Sequence, residues 1–355
     1  MTTNQQIPAI VLGGTGYVSG ELLRLLSGHP NFALAGVMSD SAPGELAGKS
    51  FPHLAAVLGD TAFKSQADIA ALIASEPTSA VFCAAPHGAA AALIDNLLKA
   101  AETAGTRPRF VDISADFRYS TASAYEAVYK HPHGAPHRIA QFTCAVPEHL
   151  KKVNTPHVGH PGCFSTAILL ASVPLLSSGL VEPTLFVSGI TGSTGSGRKP
   201  VEGTHHPTRH SDLYSYGALG HRHTPEITAL AWAASGIEAE FAFVPHSGPF
   251  ARGIHATVQA RLKSPRDAAA MVNLLREYYA GAPFVRVLDS APRVKDIVAS
   301  NYAHLSASAN GRTVAVMSVV DNLNKGAAGG AVQWMNRLHG LPETAGLRAP
   351  AAGWT

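Results

Sequence analysis

Charge is scarce in this chain. Asp, Glu, Lys and Arg make up 14% of its 355 residues and leave a formal net charge of only +3. No run of basic residues occurs, which excludes the electrostatic footprint of a nucleic-acid binder. Cysteine is scarcer still: Cys83, Cys144 and Cys163 are too few for a disulfide framework in so long a chain. A reducing, cytoplasmic setting follows, and there a reactive thiol survives. Long apolar runs are missing as well. The least polar stretch, Ser165 to Val181, is broken by Pro174 and several serines, so it reads as a buried helix and not a membrane span. Met1 to Gln6 is short and polar, without the charged start or apolar core of a secretory signal. What the chain has in quantity is apolar side chain, 46% of the total, and a length that suits two domains better than one core.

The first forty residues carry a recognisable unit. Ile7-Pro8-Ala9-Ile10-Val11-Leu12 is an apolar run ending in glycines, as a buried parallel strand does. Gly13-Gly14-Thr15-Gly16-Tyr17-Val18 follows and leads into leucines at helical spacing, after which Phe32 to Met38 is a second strand. Strand, glycine turn, helix and strand form the dinucleotide-binding unit, in which glycines let the backbone approach a pyrophosphate and the helix start binds its oxygens. The second strand ends in Ser39-Asp40 with no arginine following, which leaves NAD and NADP both open.

Further strands end in polar residues. After Val81 to Ala85 comes Pro86-His87-Gly88, where His87 either lines the cofactor crevice or serves the turn. Asp112, Ser114, Asp116 and Arg118 follow another strand and either orient a ligand or satisfy one another. A guanidinium at that place matches phosphate or carboxylate geometry. In His160-Pro161-Gly162-Cys163 a proline and a glycine precede a cysteine that opens the apolar helix. The sulfur then sits in the first turn, near N–H groups without intrahelical partners and the positive end of the macrodipole, an environment that favours the reactive thiolate. Cys83 and Cys144 lack such a position and read as inert buried thiols.

The second half changes texture. Thr184 to Ile190 is a strand, followed by Thr191-Gly192-Ser193-Thr194-Gly195-Ser196-Gly197-Arg198-Lys199, an anion-binding loop or a linker. His255 to Leu262 alternates apolar and polar as a half-buried antiparallel strand does; Thr313 to Val320 is another strand candidate and Ala268 to Ala280 a helix. Histidines cluster at 131, 133 and 137, at 205, 206 and 210, and at 221 and 223. Without an H-E-x-x-H helix or a cysteine pair at ligand spacing, no metal site is assigned. His221 and His223 precede Thr224-Pro225-Glu226, a helix start with Thr224 as N-cap and Pro225 at the first position. A histidine there, beside a thiolate, can move protons near neutral pH, or it is simply a loop residue.

Taken together, Gly13-Gly14-Thr15-Gly16-Tyr17, Asp112-Ile113-Ser114-Ala115-Asp116-Phe117-Arg118, His160-Pro161-Gly162-Cys163, Thr194-Gly195-Ser196-Gly197-Arg198, His221-Arg222-His223-Thr224-Pro225-Glu226, Arg252-Gly253-Ile254 and Asp321 to Gly329 run along nearly the whole chain. In this order they resemble the N-acetyl-gamma-glutamyl-phosphate reductases of arginine biosynthesis. The resemblance implies an α/β fold: a Rossmann-type dinucleotide-binding domain (residues 1–162 and 326–355) plus an α+β substrate and dimerisation domain (163–325) with a mixed, largely antiparallel sheet. It implies NADP as cofactor, an acyl phosphate as substrate, a homo-oligomer (dimer or tetramer), Cys163 as nucleophile and His221 as acid/base. By motif position the cofactor is assigned to Gly13, Gly14, Thr15, Gly16, Tyr17, Val18, Ser39, Pro86, Ser193, Gly195 and Asn322, and the substrate to Ser114, Arg118, Arg198, His223, Arg252 and Lys325. Two departures matter. Ser39-Asp40 lacks the basic residue often found near the adenosine phosphate, so NAD stays possible. Thr204 to His210 looks more like the sister reductase of lysine biosynthesis, whose substrate rides on a small acidic carrier protein; that is the alternative.

Overall fold

The computed structural model describes residues 6–353. Most of the polar N-terminal stretch and the outer limits of the expected cofactor domain lie outside these residues. The chain divides into two compact units. One comprises residues 6–144, 152–160 and 328–348, the other residues 145–151, 161–327 and 349–353. Residues 145–151 thus depart from the expected boundary. Val146 is buried in the core of the second unit and Glu148 pairs there with Lys325, so that stretch belongs with it.

The first unit holds a parallel sheet of 6 strands: β1 (Ile7–Leu12), β2 (Phe32–Met38), β3 (Ala80–Cys83), β4 (Arg109–Asp112), β5 (Phe142–Cys144) and β6 (His157–Gly159), in the order β2-β1-β3-β4-β6-β5. β1, β2 and β3 are continuous apolar runs, as strands of a parallel sheet covered by helices are. These helices include Tyr17–Leu26, Gln66–Ser75, Ala90–Ala104 and Gly329–Leu338. Gln66–Ser75 begins in a capping box formed by Ser65 and Asp68. β4 stops where the Asp112 carboxylate turns back on its own chain, accepting from Ser114 N at 3.0 Å and Ser114 Oγ at 2.8 Å.

The second unit holds a mixed sheet of 7 strands: β7 (Val181–Thr191), β8 (Tyr214–Ser215), β9 (Glu240–Ser247), β10 (Ile254–Leu262), β11 (Val285–Val287), β12 (Ala303–Asn310) and β13 (Thr313–Val320), in the order β11-β12-β13-β10-β7-β9-β8. The β12/β13, β13/β10, β10/β7 and β9/β8 pairs are antiparallel, while β7/β9 and β11/β12 are parallel. The helix Cys163–Ser177 packs on one face of this sheet and is buried without a break from Phe164 to Leu176. Such all-round burial explains why its sequence shows no polar stripe. Thr224–Ser235 and Ala268–Tyr278 pack beside it. The former starts one residue differently from expectation: His223, not Thr224, is the N-cap. Thr224 N donates to His221 O and Ile227 N to His223 O, so the chain is already turning at His223.

Candidate active site

Cys163 is the first residue of its helix, with Gly162 as N-cap in extended conformation. The first-turn N–H groups of any helix lack intrahelical partners and carry partial positive charge, so the sulfur stands where an anion is stabilised. Two neighbours hold it there. The Glu226 carboxylate, 1% exposed, accepts the Gly162 amide at 2.7 Å and ties the start of one helix to the start of another. Gly326 lies against the cysteine, where an added Cβ would stand 2.7 Å from Cys163 Cβ. Cys163 opens into a cavity of about 540 Å³ lined also by Thr191, Gly195, Tyr216, His221, Arg222, His223 and Ser247. Cys83, by contrast, is 0% exposed, and burial beside Asp112 pushes its thiol well up.

His221 is set by its own turn. Its Nδ1 accepts the His223 amide at 3.1 Å, so in the neutral ring the proton sits on Nε2. Burial, with a smaller contribution from Arg222, pushes its pKa down to about 4. The imidazole is therefore neutral at pH 7 and offers an N–H rather than a full charge. Phe164 and Phe243 hold the ring edge-on, with centroids 5.8 Å and 5.4 Å away, and His223 crosses it at 4.8 Å. Tyr216 flanks it at 5.7 Å; burial and then Cys163 push the phenol up to about 12, which keeps it a donor.

The structure therefore gathers Cys163, His221, His223 and Gly195 around one cavity and sends other candidates elsewhere. Lys325 is 0% exposed and donates to Glu148 Oε1 at 2.6 Å, which corrects its reading as a substrate cation. Arg252 is bound to Asp321 through Nε at 3.1 Å and Nη2 at 2.9 Å. Arg118, in the other unit, spends Nε on His160 O at 2.9 Å and Nη2 on Ile113 O at 2.8 Å. Ser114 serves the Asp112 turn, and Arg198 is exposed. Asn322 donates to Thr194 Oγ1 at 3.0 Å and accepts from Gly253 N at 2.7 Å, so it holds the loop. That loop is no open nest of donors. The amides of Gly192, Ser193, Thr194, Gly195 and Gly197 all bond to backbone carbonyls. Among the described residues no group of three or more His, Cys, Asp or Glu side chains could hold a metal ion.

In the first unit the glycine turn fits a dinucleotide. Gly13 has φ +88°, and a Cβ there would meet Ala84 O at 2.5 Å, so only glycine allows the turn to lie on the end of β3. Gly16, the N-cap of Tyr17–Leu26, provides no side-chain cap, and its own Cβ position is open to within 3.9 Å. Thr15, Gly16, Tyr17 and Val18 thus present a helix start suited to a pyrophosphate. Ser39, 4% exposed, ends β2 with its Oγ 3.2 Å from Ser41 Oγ. A hydroxyl there accepts a 2′-phosphate that a carboxylate would repel. Pro86 is exposed beyond β3, and His87 accepts the Ala115 amide through Nδ1 at 2.9 Å, which makes it a turn residue. Ser193, Gly195 and Asn322 belong to the second unit.

Several contributors went unassigned in the sequence. Glu226 was visible only as part of a helix start, and Gly326 only as part of a motif. Thr191 was visible only as the first residue of the candidate anion-binding loop, and Tyr216 and Ser247 carry no local signal, because strand ends bring them together: Thr191 is opposite Ser247 in the β7/β9 register.

Known proteins match along nearly the whole length. Residues 8–154 match the family model described as semialdehyde dehydrogenase, NAD binding domain, and residues 163–322 that of semialdehyde dehydrogenase, dimerisation domain. Among solved structures, aspartate semialdehyde dehydrogenase II of Vibrio cholerae, complexed with ASA, superposes with a TM-score of 0.68 at 14% identity, covering 94% of this chain and 98% of that one. The Candida albicans aspartate semialdehyde dehydrogenase with NADP gives 0.62 at 15%, covering 94% and 98%. These establish the fold. Curated N-acetyl-gamma-glutamyl-phosphate reductases are much nearer in sequence: that of Nitrosococcus oceani is 38% identical over 96% of this chain and 98% of its own length, and that of Symbiobacterium thermophilum 37% over 95% and 96%. By this identity over this span, the chain belongs to the N-acetyl-gamma-glutamyl-phosphate reductase family.

Proposed function

We propose that this enzyme reduces N-acetyl-glutamyl 5-phosphate with NADPH, giving N-acetylglutamate 5-semialdehyde and phosphate in arginine biosynthesis. The observation that carries the reading is Cys163 at a helix start, sharing one cavity with an imidazole whose proton is confined to Nε2. The Cys163 thiolate attacks the acyl carbon, the bond to the phosphate oxygen breaks, and phosphate leaves with that electron pair. A thioester remains. The first-turn amides steady the oxyanion of the addition step. Bound NADPH supplies the hydride that reduces the thioester carbon. His221 Nε2–H then supports the thiohemiacetal oxygen, and collapse of that adduct releases aldehyde and regenerates the thiolate. The Gly13 to Val18 turn and Ser39 hold the dinucleotide.

The enzyme works in the cytoplasm as a homo-oligomer; among the described residues no helix is long and apolar enough to cross a membrane. Its subunits meet through the face of the second sheet opposite the Cys163–Ser177 helix. Support comes from that face itself, where Phe186 is 58% exposed between Ala242 of β9 and Gln259 of β10.

The test runs the reaction backwards, oxidising N-acetylglutamate semialdehyde with NADP and phosphate. Wild type turns over and depends on phosphate, whereas Cys163→Ser binds NADP unchanged and loses turnover by at least about 10³-fold. Undiminished activity in that variant rules out the covalent route. A folded wild type inert toward the free semialdehyde shifts the reading to a carrier-linked substrate.

A further inference from the structure

Between His205 and Gly220 every residue is exposed except one, and that one is an arginine. Arg209 is 8% exposed. Its Nη1 donates to Ser247 Oγ at 2.9 Å, while Nε and Nη2 are buried with no hydrogen-bond partner among the described residues. Ser247 closes β9, stands opposite Thr191 of β7 and Tyr214 of β8, and with both of them lines the cavity of Cys163 and His221. A guanidinium keeps its charge at any working pH, and burying it without an anion forfeits hydration for nothing in return. No acidic side chain lines this cavity. The other two buried or half-buried cations of the unit are already matched, Lys325 by Glu148 and Arg252 by Asp321.

Geometry narrows what the missing partner is. Nε–H and the adjacent Nη2–H form one straight edge of the guanidinium, two parallel donors that fit both oxygens of a carboxylate. Ser247 holds the opposite corner at the cavity wall, so the guanidinium is fixed one layer behind that wall and a carboxylate reaches its free edge where the wall yields. The substrate of the proposed reaction carries a carboxylate at the end remote from its reacting carbon. We propose that Arg209 binds this α-carboxylate bidentately and thereby seats the acyl carbon at Cys163. The inference rests on the reductase reading and adds the residue that selects its substrate. The carboxylate is untouched by the chemistry, so Arg209 acts on binding and orientation rather than on bond making.

The experiment compares N-acetylglutamate semialdehyde with 4-acetamidobutanal, the same aldehyde lacking the carboxylate, in wild type, Arg209→Met and Arg209→Lys. Wild type prefers the carboxylated aldehyde. Arg209→Met raises its KM about 10- to 100-fold, the value of a charge-assisted pair, while KM for phosphate, KM for NADP and the rate on 4-acetamidobutanal stay within about twofold. Arg209→Lys recovers part of the loss, since a point charge replaces the fork. Equal losses on both aldehydes, a raised KM for phosphate, or no change at all overturns the assignment. A second readout needs no turnover: N-acetylglutamate slows alkylation of Cys163 by iodoacetamide in wild type but not in Arg209→Met. If wild type oxidises neither aldehyde yet shows that Arg209-dependent protection, the carboxylate site stands and the reaction assignment falls. If protection is absent in wild type too, both fall.

Discussion

A single missing methyl group sets the geometry of the sulfur. Gly326 leaves room for Cys163, and a side chain there would put its Cβ 2.7 Å from Cys163 Cβ and 3.0 Å from Cys163 Cα. The clash falls on a helix backbone and on the base of a side chain, neither of which can swing aside. Gly326→Ala therefore shifts the first turn of Cys163–Ser177, and with it the nucleophile. Small-to-large changes at close-packed sites cost about 1–3 kcal/mol, and a displacement of this kind at a reacting atom costs on the order of 10²-fold in rate. The expected outcome is a folded protein with kcat lowered about 100-fold and KM for NADP unchanged, read by steady-state kinetics beside a thermal melt. Retention of more than half the wild-type kcat would mean that the helix start adapts and the glycine is incidental.

At the scale of the element, the ion pair between Lys325 and Glu148 fastens the stretch 145–151 to the second unit. Lys325 Nζ lies 2.6 Å from Glu148 Oε1, with side chains 0% and 1% exposed. Removing one partner strands the other charge in the interior, which costs about 3–5 kcal/mol, whereas removing both need not. Lys325→Met should lower stability by that amount in urea titrations, and Lys325→Met with Glu148→Gln should recover most of it. A double variant no better than the single one would show that the pair's charge is not what matters. This pair also shows what the sequence can and cannot convey. β1 and β2 are legible residue for residue, because each writes itself as an unbroken apolar run, that of β1 ending in glycine. The cysteine helix was legible for the same reason. The ion pairs of Lys325 and Arg252 are illegible in sequence because their partners are remote: Glu148 is 177 positions from Lys325, and Asp321 is 69 from Arg252. A lone cation in sequence looks free until the fold supplies its carboxylate. The residues around the nucleophile split likewise, with Cys163 and His221 carrying local cues in a helix start and a turn, and Ser247 and Tyr216 assembled only by strand register.

At the scale of the whole molecule, the second sheet is covered by helices on one face only. On the other, β7 turns out Phe186, Ser188 and Ile190, flanked through register by Ala242 and Val244 of β9 and by Thr257 and Gln259 of β10, with Ala315 and Met317 of β13 beyond. Antiparallel sheets commonly expose one polar face; this one is polar at its margins, where Glu182 pairs with Arg261, and carries a central patch of small and apolar residues whose largest member, Phe186, is 58% exposed. In the proposed homo-oligomer this face meets a copy of itself, since a two-fold operator brings the same patch to both sides. On that proposal Phe186 lies near the axis, and a charge at its position would meet its own image. Phe186→Arg is expected to give a monomer of 36.9 kDa by light scattering under conditions where wild type runs at twice that mass or more. Because residue 186 points away from the helices that carry Cys163 and His221, the variant should keep NADP binding. An unchanged mass in Phe186→Arg would place the subunit contact elsewhere and leave this face in need of another occupant.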